Sequence, residues 1–417
     1  MQKLVIKGGR RLEGEIAVQG AKNSALPIAA ASLLCDGVSR LENCPRLSDV
    51  YAACRILTNL GCHCEMQGNT VTVNAGAMHA SEIPEQFMSE MRSSIIFLGA
   101  VLGRLGKCTL GYPGGCELGP RPINLHLQAL RRMGVKIREE NGILHCTTPN
   151  GLHGARIHLR FPSVGATENV LLAAVTASGE TTISNAAREP EIVDLVSYLR
   201  ACGACINGEG TGTIVIRGVK RLTGCTYCIM PDRIVAATWL AAAVATGGEI
   251  LLRHVRSADM TSILDVFEEM NCHISTLEDT IRLHAGKIVR PVGLLKTMPY
   301  PGFPTDAQAI MMAALCHADG TTLVEETIFE NRFRHVDALV KMGADIQVAG
   351  RVAAVKGGKR LHGATVEATD LRGGAAMMIA GLSAGGETII QDVYHIDRGY
   401  DSPEEVLRNI GAEIIRL

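Results

Sequence analysis

Two kinds of apolar stretch alternate along this chain. The first is amphipathic and ends in a small residue before a short alternating strand. Its copies close at Leu60-Gly61-Cys62, Met133-Gly134-Val135, Cys202-Gly203-Ala204, Met270-Asn271-Cys272, Met342-Gly343-Ala344 and Ile410-Gly411-Ala412. Glycine in the left-handed conformation ends a helix, so each copy predicts a helix leading into a strand such as Lys136-Ile137-Arg138. The second kind is apolar nearly all round. It recurs at residues 23–35, 91–105, 166–177, 234–245, 307–317 and 371–384, mostly closed by Gly37, Gly106, Gly179, Gly247, Gly320 and Gly385. A helix without a polar face must be buried on every side.

The period of these repeats is about 70 residues, well above the roughly 20–50 of solenoids. Each unit predicts strands, one amphipathic helix and one buried helix. Several buried helices together imply a helical core wrapped by sheets. The expected fold class is therefore α/β, with two inside-out α/β barrel domains of three repeated units each. The joints are expected near Gly20–Lys22 and Met230–Asp232. Residues 1–21 with 231–417 would form one domain and 22–230 the other, because the first strand belongs with the second half. A cleft between the domains is the expected ligand site.

Composition narrows the function classes. A chain of 417 residues with 47% hydrophobic and 20% charged content is an ordinary globular protein. Its net charge of −1 gives no global field for nucleic acid or anionic membrane, so any anion site must be local. Apolar runs such as 236–245 are about half a membrane span. The opening Met1-Gln2-Lys3-Leu4-Val5-Ile6-Lys7 reads as a strand, not a signal peptide. A cytoplasmic protein is expected, with its 14 cysteines reduced. Cys202-x-x-Cys205 and Cys225-x-x-Cys228 have near zinc-ribbon spacing, but Cys202 fills a core slot of the repeat, so packed free thiols are expected. Gly208-Glu209-Gly210-Thr211-Gly212 reads as a hairpin turn, since no Lys-Ser/Thr or helix follows.

Chemistry concentrates where loops depart from the repeat. Cys116 stands in Pro113-Gly114-Gly115-Cys116-Glu117-Leu118-Gly119-Pro120-Arg121-Pro122, too rich in Gly and Pro for helix or strand. Glycines leave the sulfur approachable, and Arg121 could stabilise a thiolate or hold an anion. Lys22 and Asn23 stand at a helix start, where anions bind well. The plain alternative is a capped helix with a solvated lysine. Asp306 opens another helix, where capping is again the plain alternative. Arg332 and Arg398 each lie in a loop beside an acid, as salt-bridged surface arginines often do. Arg92 is an odd charge at the head of an apolar helix. One thiol, one candidate base and several cations suit a small, multiply anionic substrate.

These blocks, in this order, resemble the enolpyruvyl transferases over essentially the whole chain. The carriers include Gly20-Ala21-Lys22-Asn23, Met91-Arg92-Ser93-Ser94-Ile95, residues 113–122, Ser163-Val164-Gly165-Ala166-Thr167, Ala187-Arg188-Glu189-Pro190-Glu191, Phe303-Pro304-Thr305-Asp306, Glu330-Asn331-Arg332-Phe333 and residues 395–400. The resemblance implies two inside-out α/β domains of three repeats. It implies transfer of the enolpyruvyl group of phosphoenolpyruvate to the 3-hydroxyl of UDP-N-acetylglucosamine, the first committed step of peptidoglycan synthesis. By resemblance Cys116 is the acid that protonates the phosphoenolpyruvate methylene, and Asp306 takes the sugar proton. Lys22, Arg121 and Arg398 hold phosphate and carboxylate, and Asn23 helps position them. Arg92, Arg121, Pro122, Ile123, Asn124 and Leu125 fall at sugar-nucleotide positions. So do Ser163, Val164, Gly165, Asp306 and Ile328, while Arg332 matches a further arginine with a role in closure or phosphate handling. No cofactor or metal is implied, nor a nucleic-acid or membrane partner, and a monomer is expected.

Overall fold

A computed structural model describes residues 2–114 and 122–417. The described chain clusters into two compact units. One joins the stretch up to Gln19 with Pro231–Leu417; the other runs from Gly20 to Met230.

In the first unit the helices Arg233–Ala245, Thr305–Leu315 and Leu371–Ser383 pack on one another. Every residue of Arg233–Ala245 is buried, as its lack of a polar face requires. Three four-stranded sheets belong to this unit, all built alike. A strand pairs in parallel with the next, which pairs antiparallel with a third, itself antiparallel to a fourth. Leu294–Lys296, Thr321–Glu325, Val352–Lys356 and Asp345–Ala349 form one sheet in that order. In another, Leu4–Lys7 fills the place of Val352–Lys356, between Glu387–Gln391 and Glu413–Arg416, with Leu4 opposite Ile390 and Arg416. Glu13–Ala17 likewise pairs in parallel with Glu249–Arg253. The burial alternates along these strands, so Ile250 and Leu252 point to the core and their neighbours do not.

The second unit repeats the plan. Lys22–Ala31, Phe97–Leu105 and Val164–Ala174 are its core helices, and its four-stranded sheets have the same order. Thr226–Cys228, last in the unit, pairs in parallel with Val38–Glu42 near its start. The amphipathic helices all end as the pattern predicts. Gly61, Gly134, Gly203, Gly343 and Gly411 have positive φ, and Asn271 takes the same conformation at +69°.

Three details differ from the sequence pattern. The left-handed residue after the last buried helix is Gly386, at φ +91°, rather than Gly385. Residues 92–96 form a separate 3-10 turn before Phe97–Leu105, so residues 91–105 are not one helix. Lys22–Ala31 likewise tightens into 3-10 at Ser32–Leu34.

Cys205–Asn207 pairs antiparallel with Thr213–Arg217, which makes residues 208–212 a hairpin turn. Cys202 is buried with its sulfur 3.6 Å from that of half-buried Cys225, and Cys205 and Cys228 are exposed. Cys202 and Cys225 are packed by the fold as expected, whereas Cys205 and Cys228 lie at the surface rather than in the core. Among the described residues no helix is long and apolar enough to cross a membrane.

Candidate active site

Asp306 lies in the first turn of Thr305–Leu315, but it is not the cap. Pro304 holds that position and no side chain caps the helix. The carboxylate instead accepts from two guanidiniums, Arg332 Nη2 on Oδ1 at 3.0 Å and Arg372 Nη2 on Oδ2 at 3.1 Å. Arg332 is 2% exposed and Arg372 3%, so Arg332 is no surface arginine. Arg332 also donates to the Thr305 carbonyl from Nε and Nη2. Arg372 donates to Tyr400 Oη at 3.2 Å, and that hydroxyl meets Thr238 Oγ1 at 2.9 Å. Burial works against the Arg372 charge, but Tyr400, Asp306 and Asp232 outweigh it and hold its pKa above the ordinary value. Buried charges are tolerated when paired and hydrogen-bonded in this way.

The acids flanking the two loop arginines have other partners. Glu330 pairs with Arg351 at 3.8 Å. Asp397 takes Arg416 on both oxygens, at 2.8 and 2.9 Å. Arg398 ends the 3-10 turn Val393–Arg398, which packs on Leu371–Ser383. A Cβ on Gly374 would lie 2.6 Å from Ile396 Cγ1, so glycine lets this turn approach the Arg372 helix. Ile328 sits half-buried in the loop after Thr321–Glu325.

In the second unit Lys22 is the first residue of its helix. It is 8% exposed, with Nζ on Asp49 Oδ2 at 2.7 Å, so it is not a solvated lysine. Asn23 beside it is exposed. Arg92 donates from Nη1 to the carbonyls of Pro113 at 3.0 Å and Gly114 at 3.3 Å, which ties residues 113–114 to the head of the apolar segment. Cys116 and Arg121 lie outside the described residues.

Ile123 precedes Asn124–Arg132, which begins with Asn124 and Leu125; Pro122 and Asn124 are exposed. Ser163 caps Val164–Ala174, accepting from the amide of Ala166. One buried contact joins these blocks. Asn169 Nδ2 meets His126 Nδ1 at 2.8 Å and also donates to the Ile95 carbonyl, while its Oδ1 accepts the Gly99 amide at 2.7 Å. That amide orientation leaves His126 Nδ1 as acceptor and the ring proton on Nε2. Burial, aided by Arg92, lowers the His126 pKa to about 4, so the ring is neutral. Residues 92–99, 123–126 and 163–169 are thereby drawn together. Glu168 is buried beside them, and desolvation, then Glu191 and Glu189, raise its pKa to about 8.

Sequence reasoning missed Asp49, His126, Glu168, Asn169 and Arg372. The signal that singled out Arg92, a charge inside an apolar run, also marks Glu168 and Arg372, and Asn169 is a polar residue in the same run as Glu168. Asp49 carried none, since an acid at a helix start is ordinary.

A profile of the family EPSP synthase (3-phosphoshikimate 1-carboxyvinyltransferase) matches residues 6–407. The chain is 48% identical over 417 residues to UDP-N-acetylglucosamine 1-carboxyvinyltransferase 2 of Caldanaerobacter subterraneus subsp. tengcongensis, covering all of both chains. It is 48% identical over 419 residues to UDP-N-acetylglucosamine 1-carboxyvinyltransferase of Oleidesulfovibrio alaskensis, again covering all of both. The solved enolpyruvyl transferase NikO from Streptomyces tendae superposes with a TM-score of 0.90 at 27% identity, covering 100% of this chain and 98% of that one. EPSP synthase from Acinetobacter baumannii shares the fold, with a TM-score of 0.78 at 19% identity over the whole of both chains. With a family match spanning residues 6–407 and near-half identity over full length, the chain belongs to the EPSP synthase family of enolpyruvyl transferases.

Proposed function

We propose that this enolpyruvyl transferase moves the enolpyruvyl group of phosphoenolpyruvate to the 3-hydroxyl of UDP-N-acetylglucosamine, releasing phosphate and committing the sugar to peptidoglycan. The observation that carries the reading is Asp306, a carboxylate with a buried guanidinium on each oxygen. Two cations favour its ionised form, the form a base needs.

The steps balance as addition, then elimination. A proton adds to C3 of phosphoenolpyruvate and makes C2 electrophilic. The sugar oxygen attacks C2 as its proton passes to Asp306, giving a tetrahedral phospho-ketal. Loss of a C3 proton and of phosphate from C2 then leaves the enol ether. In this reading Cys116 supplies the first proton, since a thiol of ordinary pKa near 8.5 is largely protonated at neutral pH. Lys22, Arg121 and Arg398 hold the anionic groups and stabilise charge at the reacting centre, with Asn23 orienting them. Arg92, Ile123–Leu125, Ser163–Gly165 and Ile328 would receive the nucleotide sugar, with Pro122 beside them, and Arg332 keeps Asp306 oriented.

The test is phosphate release from phosphoenolpyruvate with UDP-N-acetylglucosamine, run beside shikimate 3-phosphate. Release with the UDP-sugar alone is expected; release with shikimate 3-phosphate alone would replace this reading by the other. Cys116→Ala is expected to abolish turnover while UDP-sugar affinity stays within about threefold. Loss of affinity in that variant would give the loop a structural role instead.

A further inference from the structure

Glu326 follows the strand Thr321–Glu325 and is 1% exposed. Its carboxylate accepts three hydrogen bonds. Oε1 takes the backbone amides of Ile328 at 2.8 Å and Phe329 at 3.0 Å, and Oε2 takes the Thr305 hydroxyl at 3.0 Å. Thr305 directly precedes Asp306, and its carbonyl receives both bonds from Arg332. One buried side chain therefore fixes the start of the Asp306 helix and the loop of Ile328 together. The loop is pinned again one residue on, where Thr327 donates its amide to Thr297 Oγ1 at 2.9 Å and its hydroxyl to the Thr297 carbonyl at 2.6 Å.

Two consequences follow for a sugar bound here. The Ile328 N–H is committed to Glu326, so the backbone at that residue offers a ligand its carbonyl and no donor. A carbonyl selects a hydrogen-bond donor, such as a ring hydroxyl or an amide N–H. The base and that acceptor are also held at a fixed separation, as a reacting hydroxyl requires.

We propose that Glu326 is a positioning residue for the sugar nucleotide: its buried carboxylate ties the loop of Ile328 to the helix start that carries Asp306. The inference rests on the transfer proposed above. A residue serving the fold alone would change stability and leave the two substrates' KM values in their wild-type ratio.

Steady-state phosphate release with both substrates varied separates these cases. Glu326→Ala is expected to raise KM for UDP-N-acetylglucosamine about tenfold, with KM for phosphoenolpyruvate within about twofold. Glu326→Gln is expected to recover KM to within about threefold, because its amide oxygen still accepts both backbone N–H groups while the Thr305 hydroxyl turns to accept. If Glu326→Ala does not fold, Thr305→Val decides. It removes one tie and is expected to lower kcat about fivefold, with Thr305→Ser near wild type. A folded Glu326→Ala with an unchanged KM ratio, or a Thr305→Val equal to wild type, overturns the proposal. A wild-type chain silent with this substrate pair would instead overturn the transfer itself, and the Glu326 role would fall with it.

Discussion

Asp306 shows how much of a residue's role depends on its partners. Arg332 and Arg372 each donate to one of its oxygens, and both are almost wholly buried. Asp306→Asn keeps the shape but removes the base and the charge that balances two cations. We expect kcat to fall by about 10²–10⁴-fold, with a lower melting temperature. A variant with normal kcat would remove Asp306 from proton transfer. The residue type and helix-start position were legible in the sequence, as they were for Lys22. Their partners were not: Arg372 and Asp49 are brought in by other elements, and no local pattern names them.

At the scale of elements, helix ends were the most legible feature, because a left-handed terminus restricts residue choice so strongly. Gly203 isolates that restriction. Its φ is +106° and a Cβ there would meet nothing within 4 Å. Gly203→Ala is therefore expected to destabilise by about 1 kcal/mol through conformation alone. A urea titration checks this, and an unchanged midpoint would mean the turn relaxes freely. The sequence misplaced one such end, at Gly385 and Gly386, because two adjacent glycines serve equally well until the backbone path is known. It also merged the Arg92–Ile96 turn with Phe97–Leu105, since 3-10 and α segments share one apolar pattern.

For the molecule as a whole, buried titratable groups set a stability profile with two limbs. Burial lowers the pKa of His126 and His335 from 6.5 to about 4, Arg92 adding to it at His126 and Arg332 at His335, where Asp370 opposes. Both rings are neutral when folded. Their contribution is complete above about pH 6.5 and is lost as pH falls toward 4. Glu168 acts in the opposite sense, its pKa raised from 4.5 to about 8 by desolvation and then by Glu191 and Glu189. Its contribution is complete below 4.5 and is lost as pH rises toward 8. Thermal melts across pH are expected to peak near the histidine value, and Glu168→Gln should flatten the alkaline limb and steepen the rise between about pH 4.5 and 6.5. An alkaline limb unchanged in that variant would place the titrating group elsewhere.

By itself the sequence determined the repeat, most of the buried helices and helix ends, and the presence of local cations in a near-neutral chain. These follow from periodicity and backbone stereochemistry, which act over a few residues. It also carried the family, because motif order along the whole chain is a property of sequence. The tertiary structure decided which charges pair. It paired Asp306 with two buried arginines, gave Glu330 and Asp397 to other cations, and joined three separate blocks through His126 and Asn169. Such pairings depend on desolvation and on distances between residues far apart in the chain, and both exist only once the core has formed.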